Sequence, residues 1–580
     1  MALVLGFWTV VYAADTPAPN FSKDVAPILY KNCVICHRPG EIASSVPLLS
    51  YEMARPWAKA IKEKVLAREM PPWPADSNGK EKFRNDRRLN QKDIDTLVAW
   101  INAGAPKGND TDLPPLPKFA QGWLHPKGRA PDLIIAAPEV NVPAQGEVPY
   151  LKYLAKVPVS EDKWIVASQS RPGNPAVVHH MAITEIVLED GLTPANIGPI
   201  AQLFRQIGAP SDPLGTRPAI TAPGDPAVYD MLGVYTPGST IEMYPEGTGK
   251  LLKAGKNLYI NFNIHYQSTG KPEKDQSMIA LWFLPGPPKF QMYRVPGAGG
   301  TIIANGQEVL TNARGERAEG TNAAIPPIPP FTGTYEVIGI TAYTEPVTIY
   351  QLQPHAHLRG KDFRYTIVYP DGREETVLNV PKYDFRWQLA YELETPLKVA
   401  AGSKLVVTAH YDNSVNNKYN PAPEKNVYFR GGQNQSWDEM FTPFVQYTMD
   451  SRDLAEPPGV AQTPPQSASF QQTERREHNV LGIVGTVGCL EQNSPGTWIL
   501  TNASAPLVSK TQSTSSLALK AAEGEPLGTR RYQLLGASIF NPSLHQGQKM
   551  AVKGILIQDT RESRLNVTSL QMVTASCGGN

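Results

Sequence analysis

The sequence predicts a mainly β protein: a small all-α domain in front, two tandem antiparallel β-sandwiches in the middle and a small β-barrel, OB-like, at the end. Three observations lead there. Proline and glycine are plentiful, 55 and 46 residues, and short runs of Val, Ile, Thr and Tyr fill the gaps between them. Apolar residues at helical spacing flank a Cys-x-x-Cys-His sequence near the N-terminus. A pattern of Ala-Gly, a basic residue, a strand and His-Tyr occurs twice in the middle of the chain. With 580 residues there is material for roughly three to five domains, each with its own core. The formal net charge is +1 and the two signs are interspersed, so there is no basic stripe for nucleic acid. Small, neutral or partly apolar substrates suit such a surface better.

Residues 1–13, MALVLGFWTVVYA, are apolar and end in Val11-Tyr12-Ala13, a small-residue pattern that fits export-signal cleavage after Ala13. The run lacks a positive n-region and is too short to span a bilayer. A periplasmic or secreted protein with no membrane span is the expectation.

Residues 20–107 form the predicted all-α domain. Ser22 to Lys31 places Val25, Ile28 and Leu29 at helical spacing. Cys33-Val34-Ile35-Cys36-His37 then reads as the attachment sequence of a c-type haem, with both thiols on the vinyl groups and His37 as proximal iron ligand. A redox pair or half a zinc site are the other readings, and zinc would want a second Cys/His pair nearby, which the sequence lacks. Further on, Asn90 is placed as an N-cap with Asp93 at N3, and Leu89 and Ile94 as a hydrophobic staple. Ile94, Leu97, Val98 and Ile101 make one stripe before Gly104 and Pro106. Helix, attachment sequence and helix together outline a small cytochrome c with covalently bound haem c. Its distal ligand is expected to be Met70: the residue before Pro71 is pushed out of the helical region, so a helix from Pro56 should end there and present the thioether on a stiff loop. Met53, ahead of that helix, is the weaker candidate.

Residues 108–128 and 451–476 read as linkers, leaving 129–286 and 287–450 as the two sandwiches. In residues 477–580, the runs GTWILTN, RRYQLLG, KMAVKGILI and RLNVTSLQMV are separated by turns, which suggests the barrel. Cys489 and Cys577 bracket it, and an exported protein could pair them.

The repeated pattern sits in KAGKNLYINFNIHYQSTG and VAAGSKLVVTAHYDNS. In the first copy Leu258, Ile260, Phe262, Ile264 and Tyr266 share one face, and Asn261, Asn263 and His265 the other. Read as a strand, Thr348 to Leu358 does the same: His355 and His357 lie with Gln351 and Gln353 opposite Tyr350, Leu352, Pro354 and Ala356. They are a pair of metal ligands or a solvated pair. His179 and His180 are neighbours, so both reach one ion only at a strand end or bulge, and Asn174-Pro175 upstream suits a strand end. His125, His410, His478 and His545 read as structural.

His179-His180-Met181, Ile264-His265-Tyr266, His355-Ala356-His357-x-x-Gly360 and Asp438-Glu439-Met440 occur in this order over residues 130–450. In this the chain resembles the copper type II ascorbate-dependent monooxygenases, the peptidylglycine hydroxylating and dopamine β-hydroxylating enzymes. The resemblance implies two jelly-roll-like sandwiches facing across a cleft and two copper ions. It puts His179, His180 and His265 on the electron-transfer copper, and His355, His357 and Met440 on the copper that meets oxygen and substrate. Imidazole suits both copper oxidation states, and a soft thioether favours Cu(I). The implied activity is hydroxylation of an activated C–H bond by O2, with haem in place of ascorbate as the relay from a redox electron donor.

The chain departs from the family in three ways. No disulfide is possible within the middle domains. The arginine and tyrosine that hold a peptide carboxylate in the peptide enzyme are here Gln353 and Phe444, so a C-terminal glycine peptide is a poor candidate substrate. Residues 187–250 are long and rich in Pro and Gly, and are expected to form a lid. Two other functions stay open: a non-catalytic haem and copper electron-transfer or copper-binding protein, and a zinc hydrolase on a three-histidine site. Met440 and the haem sequence speak against the hydrolase.

Overall fold

The computed structural model describes residues 18–76, 82–119, 122–146, 148, 151–187, 193, 231–239, 241–255, 257–310, 325–429, 436–454, 481–558 and 563–577. The expected export signal, most of the second linker and most of the expected lid lie outside these residues. The chain divides into two compact units, Met1–Trp73 with Arg87–Ala120, and Pro74–Asp86 with Gln121–Asn580. No helix of the described residues is long and apolar enough to cross a membrane.

The first unit is helical. Asn20 caps its first turn by accepting from the Lys23 N–H (3.0 Å), and a π-turn Phe21–Val25 runs into the helix Ala26–Asn32. Val25, Ile28 and Leu29 are all buried, as their spacing predicts. The last helix is Gln91–Asn102, where Asn90 Oδ1 accepts from the Asp93 N–H (2.8 Å) and Leu89 and Ile94 are both buried. Its buried face is wider than the predicted stripe, because Trp100 is fully buried against Phe21 and donates Nε1–H to the Pro106 carbonyl (3.0 Å). The helix before Met70 is Ala58–Leu66 and stops short of the predicted end. Arg68 adopts a left-handed φ of 56°, which breaks the helix before Pro71 can. Met53 belongs to the single turn Tyr51–Ala54 and is 38% exposed.

The second unit is built of sheets. A nine-stranded sheet runs Leu133–Ala136, Met278–Leu284, Lys163–Arg171, Thr248–Leu252, Phe290–Pro296, Phe444–Met449, Val347–Gln353, Tyr391–Val399, with Glu242–Met243 paired alongside Lys163–Arg171. Phe290–Pro296 is the junction: it pairs in parallel with Thr248–Leu252 and antiparallel with Phe444–Met449. The two middle halves therefore share one continuous sheet. A four-stranded sheet, Leu151–Lys156, Leu258–Tyr266, Val178–Val187, Met231–Tyr235, forms the second layer of the first half. Ile260, Phe262 and Ile264 pack with Ile165, Leu252 and Ile279 of the large sheet in one apolar core. In the second half, the other layer is the six-stranded sheet Gln307–Glu308, Thr301–Ala304, Tyr335–Ala342, Lys404–Tyr411, Gly360–Val368, Glu374–Val380.

The strand carrying the His-x-His pair differs from the expected one. It spans Val347–Gln353 and ends where Pro354 removes a ladder donor, so His355 and His357 lie on the connection beyond it. Its Gln351 and Gln353 are buried, because the strand is central in the large sheet, with Phe444–Met449 on one side and Tyr391–Val399 on the other. The expected strand from Thr348 to Leu358 is thus shorter, and its Gln-bearing face is packed rather than solvated.

At the C-terminal end Ile483–Ser494, Thr497–Ala503, Arg530–Leu535, Ser563–Thr574 and Lys549–Gln558 pair in sequence, and the last pairs with the first, so the ring closes on itself. The Cys489–Cys577 disulfide links the strand Ile483–Ser494 to the chain end. Asn566 joins the ring to the six-stranded sheet region by donating to the carbonyls of Val368 (3.0 Å) and Gly402 (2.9 Å).

Candidate metal centres

Three imidazoles converge in the first half. Val178–Val187 and Leu258–Tyr266 are antiparallel neighbours whose register shifts between Val178 and His180. This bulge lets two consecutive histidines face the same way, which a regular strand forbids. His180 lies directly across from His265. The Nδ1 atoms of His179 and His180 are 3.1 Å apart, and one ligand atom from each of His179, His180 and His265 falls within 4.8 Å of the others. Burial holds His179 down at about 4 and His265 at about 3, and His180 well below the usual imidazole range. All three are neutral at pH 7 and offer lone pairs, the donor set a transition-metal ion takes.

The second centre is assembled around a buried carboxylate. Glu439 is fully buried and accepts from the backbone N–H groups of His357 (2.8 Å), Arg359 (2.6 Å) and Met440 (3.2 Å). Burial raises its carboxyl to about 7, opposed by those N–H groups and by Arg359. Arg359, itself buried, donates to the Trp437 carbonyl (2.8 Å). These contacts clamp the His-x-His connection to the Asp438-Glu439-Met440 segment. Tyr383 grips the same connection, with its hydroxyl donating to the Ala356 carbonyl (2.8 Å) and accepting from the Ala356 N–H (3.2 Å). Gly360 has to be glycine here: a Cβ would meet Ala356 at 2.7 Å and Tyr383 at 2.8 Å. The two rings, 5.5 Å apart and nearly perpendicular, both have Nδ1 committed. His355 Nδ1–H donates to Gln388 Oε1 (2.8 Å), and His357 Nδ1–H donates to the Asp438 carbonyl (3.1 Å). In each the proton is held on Nδ1, so Nε2 is the lone-pair nitrogen, the arrangement that orients a metal-binding histidine. The backbone on either side of Met440 is tied to the same connection: the Asp438 carbonyl accepts from His357, and the Thr442 N–H donates to the His355 carbonyl (3.1 Å).

Three groups in this region were silent in the sequence. The Phe385 ring lies 5.6–6.3 Å from those of His357, His180, His265 and His179. Gln388 touches His355. Arg294, 4% exposed, pairs with Glu242 (3.1 Å) and donates to Gln353 Oε1 (2.6 Å). Gln353 in turn donates to the Gln388 carbonyl (3.0 Å), and Phe444 stands 6.3 Å from His355 as an apolar wall. His410 is held by Asp362 (2.6 Å) and Glu336 (3.4 Å), in keeping with a structural reading.

In the helical unit Cys33 and Cys36 are not joined in a disulfide, and burial pushes a thiol at either position up, to about 12 and about 11. The His37 N–H donates to the Cys33 carbonyl (3.0 Å), so all three residues share one turn. His37 Nδ1–H donates to the Val46 carbonyl (2.9 Å), which leaves Nε2 as the lone-pair nitrogen. Met70 is half-buried on the loop past the helix.

No curated protein matches the chain. Among solved structures, PNGF-II in a P21 space group aligns at 9% identity with a TM-score of 0.21, over 55% of this chain and 65% of its own. The chain thus spans about two thirds of that protein's length. The infectious bursal disease virus Gx strain aligns at 8% identity with a TM-score of 0.13, over 54% of this chain and 74% of its own. Neither likeness bears on fold or function. Residues 328–457, which contain His355, His357 and Met440, match the family model described as copper type II ascorbate-dependent monooxygenase, C-terminal domain.

Proposed function

We propose that the chain is an exported copper-dependent monooxygenase that hydroxylates an activated C–H bond of a small substrate with O2, its electrons arriving from a redox donor through a c-type haem. The observation that carries this reading is the pair of histidines His355 and His357, each with Nδ1 committed and Nε2 available, inside the segment that matches the monooxygenase family. His355, His357 and Met440 would hold one copper, and His179, His180 and His265 the other. Copper supplies one-electron chemistry and oxygen binding when present. Glu439, Tyr383 and the Asp438 carbonyl keep the imidazoles aimed, and the Phe385 ring packs against them.

Cys33 and Cys36 would attach the haem, with His37 and Met70 as axial ligands, and haem would supply one-electron transfer. The Val46 contact fits this by fixing the His37 tautomer. Gln353 is occupied by Arg294 and by the Gln388 backbone, and Phe444 is apolar, which favours a substrate without a carboxylate at that position. The disulfide is consistent with export, and the closed ring of strands supports an OB-like barrel at the C-terminus.

Metal analysis of the full chain, followed by oxygen uptake on a substrate panel with reduced haem as electron source, tests the reading. Two copper ions and one haem iron per chain, with substrate-dependent oxygen uptake, are expected. Copper and haem without uptake would point to an electron-transfer protein. Stoichiometric zinc would point to a hydrolase.

A further inference from the structure

Gln388 stands between the two metal centres. It is 5% exposed and adopts φ 39°, a left-handed backbone that a non-glycine residue takes only when its surroundings impose it. Its amide Oε1 accepts from His355 Nδ1–H at 2.8 Å, and its Nε2 lies 3.4 Å from both ring nitrogens of His180. Its backbone carbonyl accepts from Gln353 (3.0 Å), which accepts from Arg294 (2.6 Å), which pairs with Glu242 (3.1 Å). Gln353, Arg294 and Gln388 are each about 95% buried, so this chain of polar contacts is shielded from water. On the adjoining turn, Asp384 binds the Arg386 N–H (3.0 Å) and accepts from the Trp387 N–H (3.0 Å), and the Phe385 ring contacts rings of both centres.

We propose that Gln388 is a positioning residue that couples the two metal centres: one amide sets the tautomer of His355 and holds it at a fixed short distance from His180. The segment Asp384–Gln388 is then a bridge, where the family resemblance implies an open cleft. The Glu242–Arg294–Gln353 chain anchors its backbone. The proposal rests on the reading that both histidine groups bind copper, but the contact to His355 exists in the metal-free chain and can be read there.

Two full-length variants separate the two ends of the amide. Gln388→Leu keeps bulk and removes both contacts. Gln388→Glu keeps an acceptor for His355 and loses the donor toward His180. Wild type is the reference. In the metal-free protein, long-range proton–nitrogen spectra of the histidine rings should show a slowly exchanging His355 Nδ1–H in wild type and Gln388→Glu, and its loss in Gln388→Leu. An unchanged His355 signal in Gln388→Leu overturns the bridge whatever metal the protein binds. With both centres loaded with Cu(II), the leucine variant should bind copper at the His355 centre roughly ten- to a hundredfold more weakly, as loss of an orienting partner does. Copper at the His179 centre should be retained. Pulsed dipolar spectra should show a broader copper–copper distance in both variants. If wild type binds no copper, the copper reading fails on its own, and the metal-free spectra still decide the bridge. Equal affinities and an unchanged distance in both variants overturn the coupling.

Discussion

Replacing Glu439 with glutamine keeps the size of the side chain and destroys its symmetry as an acceptor. The carboxylate serves three backbone N–H groups, two on Oε2 (His357 at 2.8 Å, Met440 at 3.2 Å) and one on Oε1 (Arg359 at 2.6 Å). An amide has one acceptor oxygen. The least costly placement leaves that oxygen on the His357 side and turns the NH2 toward the Arg359 N–H, where donor meets donor. One bond to a charged acceptor is lost and one buried N–H is left unsatisfied, for a cost of about 2–4 kcal/mol. Above about pH 7, where Glu439 is ionised, the buried Arg359 guanidinium also loses a facing negative charge, which pushes the figure to the upper end. Thermal unfolding of the metal-free chain should therefore show the transition of the sheet unit lowered by roughly 2–4 °C, since the unfolding entropy of a unit this large is about 1 kcal/mol per degree. Copper at the His355 centre should weaken, since the carboxylate fixes the backbone on both sides of the ligands, while the centre at His179 keeps its affinity. If Glu439→Gln leaves both the transition and the copper affinity unchanged, the carboxylate does not hold the site together.

Met440→His should retain copper and lose turnover, because nitrogen in place of soft sulfur favours Cu(II); normal turnover would remove the thioether from the mechanism. In the haem-loaded chain, Met70→Ala should abolish the thioether-to-iron absorption band and lower the midpoint potential, and an unchanged spectrum would rule Met70 out. His410 is raised to about 9 by the hydrogen bonds it donates to the carboxylates of Asp362 and Glu336. Its folded pKa lies above the unfolded value, so its contribution is complete below about pH 6.5 and disappears as pH rises through 9. His410→Gln should accordingly melt below wild type at pH 6 and with it at pH 10, and a gap that persists at pH 10 would show that charge is not what the residue contributes.

The sequence by itself determined whatever depends on near neighbours along the chain. Capping at Asn20 and Asn90 needs only a side chain three residues from an N–H, and the spacing of Val25, Ile28 and Leu29 needs only the helical period. The alternation in Leu258–Tyr266 needs only the period of a strand, and it marked the buried face correctly. The bulge at His179 could be expected because two adjacent ligands cannot otherwise face one ion. Pro354 carried a signal that the reading of a strand through Leu358 passed over: it cannot donate within a central strand, and it marks where the strand ends and the His-x-His connection begins. Gln388, Phe385 and the Glu439 clamp had no such local signature. Gln388 meets His180 from 208 positions away and His355 from 33, and Glu439 meets His357 across 82. A glutamine or a glutamate reads as solvated surface until the packing of two sheets removes the water around it. Those partners are chosen by which strands become neighbours, as where Phe290–Pro296 joins the two halves into one sheet, and that choice is made by the whole fold.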